Sequence, residues 1–275
     1  MSIECAATEF VRKAGIRFSF RWLGPRHGKP LVCLQHFSGT MDAWDPAVVN
    51  ELSRHRPVIV FNNTGVGKTS GRTPDNVDQM AEDAAAFIST LSAPSVDLLG
   101  LSLGGMVAQV LATEYPGGIG KVILASTAPQ GGEEHLMEAL QDAIAQQDAP
   151  DLRLPLFFTR SDASRSAGLD FLKRASVRTD GRDPDSGEEI MRQQAKALIG
   201  WCASKDPANS VLKAIQQPVL LVGGSHDTML PNVNAIHMFK YLANAQLILY
   251  PDAGQGAIFQ YPARFVRHVL CFLNE

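Results

Sequence analysis

The chain carries little surplus charge of either sign. Charged residues make up 19% of its 275 positions and the net charge is −3. There is no basic stripe to hold nucleic acid and no acidic tract of the kind that stays unfolded. Cysteine is scarce: Cys5, Cys33, Cys202 and Cys271 stand far apart, without the CxxC or Cys/His spacing of a metal site. They read as thiols in a reducing cytosol, so a cytoplasmic location is expected. The opening residues "MSIECAATEF" lack a basic stretch followed by an apolar one, and no signal peptide is expected. No apolar run approaches the length needed to span a membrane. Internal repeats, low-complexity segments and heptads are also missing, which argues against a coiled coil and leaves the oligomeric state open. What is present is 45% hydrophobic content, enough for one large domain or one domain with an inserted lobe. The expected partner is a small molecule, with no cofactor and no metal.

The apolar residues are grouped into a regular order. "TEFVRKA" and "IRFSFRWLG" alternate with period two around Gly15 and read as strands. "PLVCLQ" and "PVIVFN" are short continuous apolar runs, as expected of strands buried on both faces, with a helix over about Trp44–His55 between them. "NVDQMAEDAAAFISTLSA" is amphipathic, with Val77, Met80, Ala84, Phe87, Ile88 and Leu91 on one face. The strand "SVDLLGL", the helix "LGGMVAQVLATEYP" and the strand "KVILAS" follow. Alternating strand and helix implies α/β architecture with a doubly wound, mostly parallel sheet. The alternation lapses from about Ala128 to Gln216, which is helical and polar, and resumes with "PVLLVGG", a helix, "AQLILY" and a last helix. Because strands of one sheet flank this stretch, residues 129–216 read as an inserted helical cap, and residues 1–128 and 217–275 as the core.

The sharpest motif is "DLLGLSLGGMVAQ". Gly100-Leu101-Ser102-Leu103-Gly104 fits G-x-S-x-G, follows a buried strand and opens a helix. Small residues on either side permit a strained strand-to-helix turn that lifts the serine hydroxyl out at the tip of the sheet. The helix N-terminus behind it favours developing negative charge. The competing reading is an ordinary glycine-rich turn.

With this motif the chain resembles the α/β-hydrolase family over nearly its whole length. "LQHFSGTMDAWDP" follows the third strand and resembles the family's oxyanion loop, with Gln35-His36-Phe37 where His-Gly-X is usual. The resemblance implies an oxyanion hole from the backbone N–H groups of Phe37 and Leu103, donors fixed before the reaction begins. Trp44 matches a common packing residue. "VFNNTGVGKTSG" resembles the family's structural D-x-R-G-x-G-x-S turn, with Asn62 and Thr64 replacing acid and arginine. Its Gly67-Lys68-Thr69 also ends like a phosphate loop. Asn62 holds the place of the first glycine and no long helix follows directly, so nucleotide binding is not expected. "LLVGGSHDTMLP" places Asp227 where the family's triad acid stands, an acid that orients a histidine and stabilises its imidazolium. A turn-capping Asp before Pro231 is the other reading.

The family usually reads Asp-Ala-Gly-His-Gly after the last strand, and this chain reads Asp252-Ala253-Gly254-Gln255-Gly256. The flanking glycines suggest a sharp bend that brings the side chain between them into a crowded place. The implied catalytic set is Ser102, Asp227 and, in the base position, Gln255. A histidine there takes the serine proton and later passes it to the leaving group. A glutamine amide only donates and accepts hydrogen bonds, though its length would let it still reach Ser102. Three accounts stand open. The chain is an inactivated or substrate-trapping form of a hydrolase; it is a natural base-less member, a lyase-like or isomerase-like cofactor-free catalyst or a ligand-binding receptor; or another histidine, His36 or His226, substitutes. His237 and His268 fall on expected helices, away from the site. Expected pocket residues are His36, Phe157, Phe158, Trp201, Met229 and Ile258, which would suit a small to medium hydrophobic ester, lactone or cleavable ketone. No Arg or Lys is placed by motif to bind a carboxylate or phosphate.

Overall fold

The computed structural model describes residues 2–146 and 151–275. Eight strands form one sheet: β1 (Glu9–Lys13), β2 (Ile16–Leu23), β3 (Leu31–Leu34), β4 (Val58–Phe61), β5 (Val96–Leu101), β6 (Ile119–Ala125), β7 (Val219–Gly224) and β8 (Ala245–Tyr250). The order across the sheet is β1-β2-β4-β3-β5-β6-β7-β8. Strand β2 runs antiparallel to β1 and β4, and every later pairing is parallel. The chain turns from β1 to β2 through Ala14 and Gly15, both at positive φ.

The alternation of side chains along each strand divides the core in two. Val32, Leu34, Ile59, Phe61, Leu98 and Val122 pack on one face, under α2 (Val77–Ile88) and α3 (Leu103–Glu114). Leu31, Cys33, Val58, Val60, Leu99 and Ile123 pack on the other, under α1 (Pro46–Ser53) and α11 (Pro262–Asn274). This two-sided burial is why the central strands read as unbroken apolar runs. Phe87 of α2 stacks on Phe61 at 4.3 Å between ring centroids, and such a ring contributes on the order of 2–3 kcal/mol by burial. The first helix starts at Pro46, two residues later than the expected Trp44. Asp45 caps it, its side chain accepting from the Ala47 N–H, and Pro46 supplies the fixed φ of a first helical residue. Trp44 itself is buried as a core anchor.

Between β6 and β7 the described residues form α4 (Leu136–Ala145), α5 (Arg153–Phe157), α6 (Asp162–Ala175), α7 (Glu188–Ala203) and α8 (Ser210–Ala214), with no strand among them. Residues 147–150, part of the expected cap, lie outside the described residues. A buried charged cluster ties this helical segment to the sheet. Arg21 on β2 donates to Asp42 at 2.6 Å, and Asp42 accepts from the Asp183 N–H at 2.7 Å. The Asp183 carboxylate accepts from Asn62 at 2.9 Å, and Lys68 donates to the Gly181 carbonyl at 2.6 Å. Burial alone would raise the Asp42 carboxyl, but the Arg21 hydrogen bonds hold it below its ordinary value. The glycine-lysine-threonine run that mimics a phosphate loop thus fastens the helical segment. After β7 come α9 (Val233–Tyr241), then β8, then the short α10 (Ala257–Gln260) leading to α11.

Candidate active site

The edge of the sheet where β3, β5, β7 and β8 end collects the residues singled out in the sequence. Ser102 follows β5 and immediately precedes α3. Its backbone has φ 54° and ψ −119°, a region that costs a non-glycine residue on the order of 1–3 kcal/mol. The turn is held by the Ser102 N–H donating to the Ala125 carbonyl at 2.9 Å and by Thr127 Oγ1 donating to the Ser102 carbonyl at 2.7 Å. Small neighbours are obligatory here. A Cβ on Gly100 would lie 2.4 Å from the Gly104 carbonyl oxygen, and one on Gly104 would lie 2.2 Å from that of Leu34. Relief of the strained φ predicts that Ser102→Gly will be more stable than Ser102→Ala by about 1 kcal/mol. Urea denaturation of the two variants measures this, and equal midpoints would remove strain from the account.

The loop after β3 carries the expected oxyanion donors. Among the described residues, neither the Phe37 N–H nor the Leu103 N–H has a hydrogen-bond acceptor. The loop is braced on both sides. Gln35 Oε1 accepts from the His36 N–H at 2.9 Å, and Gln35 Nε2 donates to the Thr40 carbonyl at 2.6 Å. Gln194 on α7 accepts from the Ser38 N–H at 2.6 Å. His36 occupies the place of a small residue and is buried, its ring edge-on to Phe157 at 5.2 Å. Burial lowers its pKa to about 4, so the ring is neutral near pH 7.

Gln255 lies in the turn after β8 and is 2% exposed. The turn's bend belongs to Asp252, at φ 48°, and neither flanking glycine has a positive φ. The expectation that those glycines supply a sharp bend is therefore corrected: they permit close approach. A Cβ on Gly254 would lie 2.9 Å from the Phe157 carbonyl oxygen, one on Gly256 would lie 2.7 Å from Phe157 Cβ, and the Gly256 N–H donates to that carbonyl at 2.9 Å. The turn is seated against α5.

The amide of Gln255, expected to reach Ser102, makes its hydrogen bond elsewhere. Gln255 Nε2 donates to the Ser126 carbonyl at 3.0 Å, while its Oε1 is buried without a partner. Asp227 Oδ1 accepts from the Met229 and Leu230 N–H groups, each at 3.0 Å. Its Oδ2 is buried without a partner. Among the described residues no hydrogen bond joins Ser102, Asp227 and Gln255. Burial raises the Asp227 pKa to about 7, against the two N–H groups that lower it. An acid short of a partner on one oxygen has this character.

Ser102, Gln255, His36 and Phe37 line one cavity of about 340 Å³, together with Phe157 and Met229. The remaining expected wall residues lie elsewhere. Phe158 packs on Phe171 at 5.9 Å, Trp201 donates to the Ala128 carbonyl at 3.2 Å, and Ile258 is fully buried in the core. Each is apolar enough to have joined a wall, but packing between helices and sheet claims it first. Asp227 lines a separate cavity of about 10 Å³ behind the turn, with Ser126. His226 is exposed, 2.7 Å from the Ser225 hydroxyl, and does not line the Ser102 cavity. His237 pairs with Asn209 and His268 with Tyr250. Sequence reasoning missed Leu136, Leu140 and Leu156 and the arginines Arg153 and Arg182, all on the cavity wall. Arg153 is spent on Asp151, with which it makes contacts of 2.9 and 2.6 Å. No local motif marks these residues, because the packing of α4, α5 and, for Arg182, the loop between α6 and α7 brings them there.

A family model described as the alpha/beta hydrolase fold matches residues 29–262. An alpha/beta hydrolase fold protein from Chitinophaga pinensis is 41% identical, with all of both chains covered and a TM-score of 0.93. Among curated proteins, the pimeloyl-[acyl-carrier protein] methyl ester esterase of Nitrosomonas europaea is 26% identical over 87% of this chain and 94% of that one. The 2-hydroxymuconate semialdehyde hydrolase of Pseudomonas sp. strain CF600 is 26% identical over 95% of this chain and 92% of that one. The strained serine between strand and helix, the eight-stranded mostly parallel sheet and these similarities agree: the chain belongs to the α/β-hydrolase fold family.

Proposed function

We propose that the chain is a serine hydrolase of the α/β-hydrolase type, disabled for turnover by Gln255 in the base position. Its substrate would be a small to medium hydrophobic ester, lactone or carbon–carbon-cleavable ketone. The observation that carries this reading is Ser102, held at positive φ between β5 and α3 and lining a largely apolar cavity of about 340 Å³. In this reading Ser102 Oγ attacks the substrate carbonyl carbon, and the Phe37 and Leu103 N–H groups, which have no other acceptor, receive the developing oxyanion. Asp227 is the acid that would orient a base. Residues 129–216 act as a cap whose α4 and α5 close the cavity and exclude water.

The step that fails is proton transfer. Ser102 must lose its proton as the bond to carbon forms, and the leaving group must gain one. Gln255 can neither accept nor release a proton near neutral pH, and its amide N–H is engaged by Ser126. What remains is binding and oxyanion stabilisation, worth roughly 10³–10⁴-fold over water in enzymes that lose the whole catalytic set. The similarity to an ester hydrolase and to a carbon–carbon bond hydrolase supports the range of substrate classes.

The unjoined Asp227 and Gln255 favour a second reading, in which the chain is a natural base-less member: a ligand receptor, or a cofactor-free lyase-like or isomerase-like catalyst. A serine-reactive fluorophosphonate separates the two. Slow or absent labelling of the chain, with fast labelling of Gln255→His at Ser102, is the result expected of a disabled hydrolase. Absence of labelling in both forms would sink it in favour of a binder.

A further inference from the structure

A second cavity of about 380 Å³ lies behind one wall of the Ser102 cavity. At three places that wall is one residue thick, because chain neighbours face opposite sides of it. Leu136, Met229 and Gln255 line the Ser102 cavity, while His135, Thr228 and Gly254 line the second one. Leu156 on α5 lines both, and among the described residues no other does. Its N–H is spent inside the helical turn, donating to the Leu152 carbonyl at 3.3 Å. The residue packs against the cores on both faces of the sheet and stays half-buried, so the surface that packing leaves uncovered faces the cavities. The two spaces differ in character. The first is largely apolar. The second is bordered by Glu138, Asp142, Arg160 and His226, all exposed, and charged side chains of this kind keep their heads in water.

We infer that the Leu156 side chain is the end wall of the Ser102 cavity and sets the length of apolar chain that a substrate can carry. This rests on the hydrolase reading of that cavity and adds the residue that decides between short and long substrates. Each methylene that fits an apolar cavity gains roughly fourfold in affinity. A chain that reaches Leu156 gains no more, because the next carbon must displace a side chain already packed on two cores, an overpacking that costs about tenfold or more. Truncation to alanine removes about three carbons of side chain. Added room alone would lengthen the limit by about that much. Removal of a partition does more, since the chain then continues into the second cavity. Leu140 supplies the comparison. It is the same residue type, is also half-buried and lines the Ser102 cavity, but it does not line the second one. Leu140→Ala therefore gives similar volume without a passage.

The test is calorimetric binding of straight-chain methyl esters, from methyl butanoate to methyl dodecanoate, to the intact chain. In the parent, affinity should rise roughly fourfold per methylene to a limiting length and fall about tenfold beyond it. In Leu140→Ala the limit should move by about three carbons or fewer. In Leu156→Ala the fall should vanish across the series. Longer esters should then bind about as tightly as the longest that fits the parent, since a polar space that reaches solvent adds little per methylene. Leu156→Phe should shorten the limit, and an unchanged limit there would overturn the inference even if Leu156→Ala does not fold. Equal shifts in Leu140→Ala and Leu156→Ala would overturn it too, as would a parent that shows no limiting length or binds none of the esters. Limits that move as expected, with fluorophosphonate labelling neither the parent nor Gln255→His, would sink the hydrolase reading alone. Equal shifts with fast labelling of Gln255→His would sink only the role of Leu156.

Discussion

Gln255→His is expected to raise the hydrolysis of activated esters at least a hundredfold over the unmodified chain. Asp227 Oδ2 and Gln255 Oε1 are both buried without partners, and Ser102 lines the cavity with no side-chain hydrogen bond of its own at the helix start. An imidazole in place of the amide can donate from one nitrogen to Asp227 and accept from Ser102 with the other, which a glutamine cannot do near neutral pH. A restored base contributes roughly 10²–10⁴-fold, the range of a positioned general base. Steady-state rates on a panel of p-nitrophenyl esters read the effect, with Ser102→Ala in the same background as control. Activity that fails to climb a hundredfold would show that the site does not lack only a base, and the disabled-hydrolase reading would fail. Activity that survives Ser102→Ala would relocate the chemistry.

The second large effect is a pH dependence of stability located at Asp227. Its carboxyl is buried, and burial raises its pKa from 3.8 to about 7. Below about pH 4 the group is protonated whether the chain is folded or unfolded, and it contributes nothing. Between about 4 and 7 the folded chain holds a proton that the unfolded chain has released, so stability falls as pH rises. Above about 7 the loss is complete, and it amounts to about 4 kcal/mol at most. Asp227→Asn keeps the oxygen that accepts from Met229 and Leu230 and removes the ionisation. It should be more stable than the parent by a few kcal/mol at pH 8, and the gap should close at pH 4. Guanidinium denaturation at the two pH values measures this. Parallel profiles for parent and variant would mean that Asp227 is not the source. In Gln255→His the slope should shrink, because an imidazole beside Asp227 favours its charged form.

These two residues also show where reading from the sequence succeeds and where it stops. The alternation of strands and helices, the mostly parallel sheet and the elbow at Ser102 were legible because each has a local signature. Buried parallel strands require continuous apolar runs, and the elbow requires small residues around Ser102, where Gly100 and Gly104 meet backbone at distances no Cβ could tolerate. Gln255 was legible as an exception for the same reason, since strand, turn and glycines frame its position. The bend expected of those glycines falls to Asp252 instead, while the crowding expected there is present. A bend and a close approach call for the same residue type, and only the neighbouring Phe157 tells them apart.

The sequence by itself determined the sheet, the elbow and the residue types at the site, because hydrophobic period and turn sterics act over a few residues. Tertiary structure alone decided which side chains face the cavity. It took Phe158, Trp201 and Ile258 into the packing, brought Arg153 and Arg182 to the wall, and left Asp227 and Gln255 unjoined by a hydrogen bond. It also turned His36 from a substituted loop residue into a neutral ring with an unpaired nitrogen. Such outcomes depend on burial and on partners more than 100 residues away, where the cost of leaving a polar atom unpaired is set by the surrounding packing and not by its neighbours along the chain.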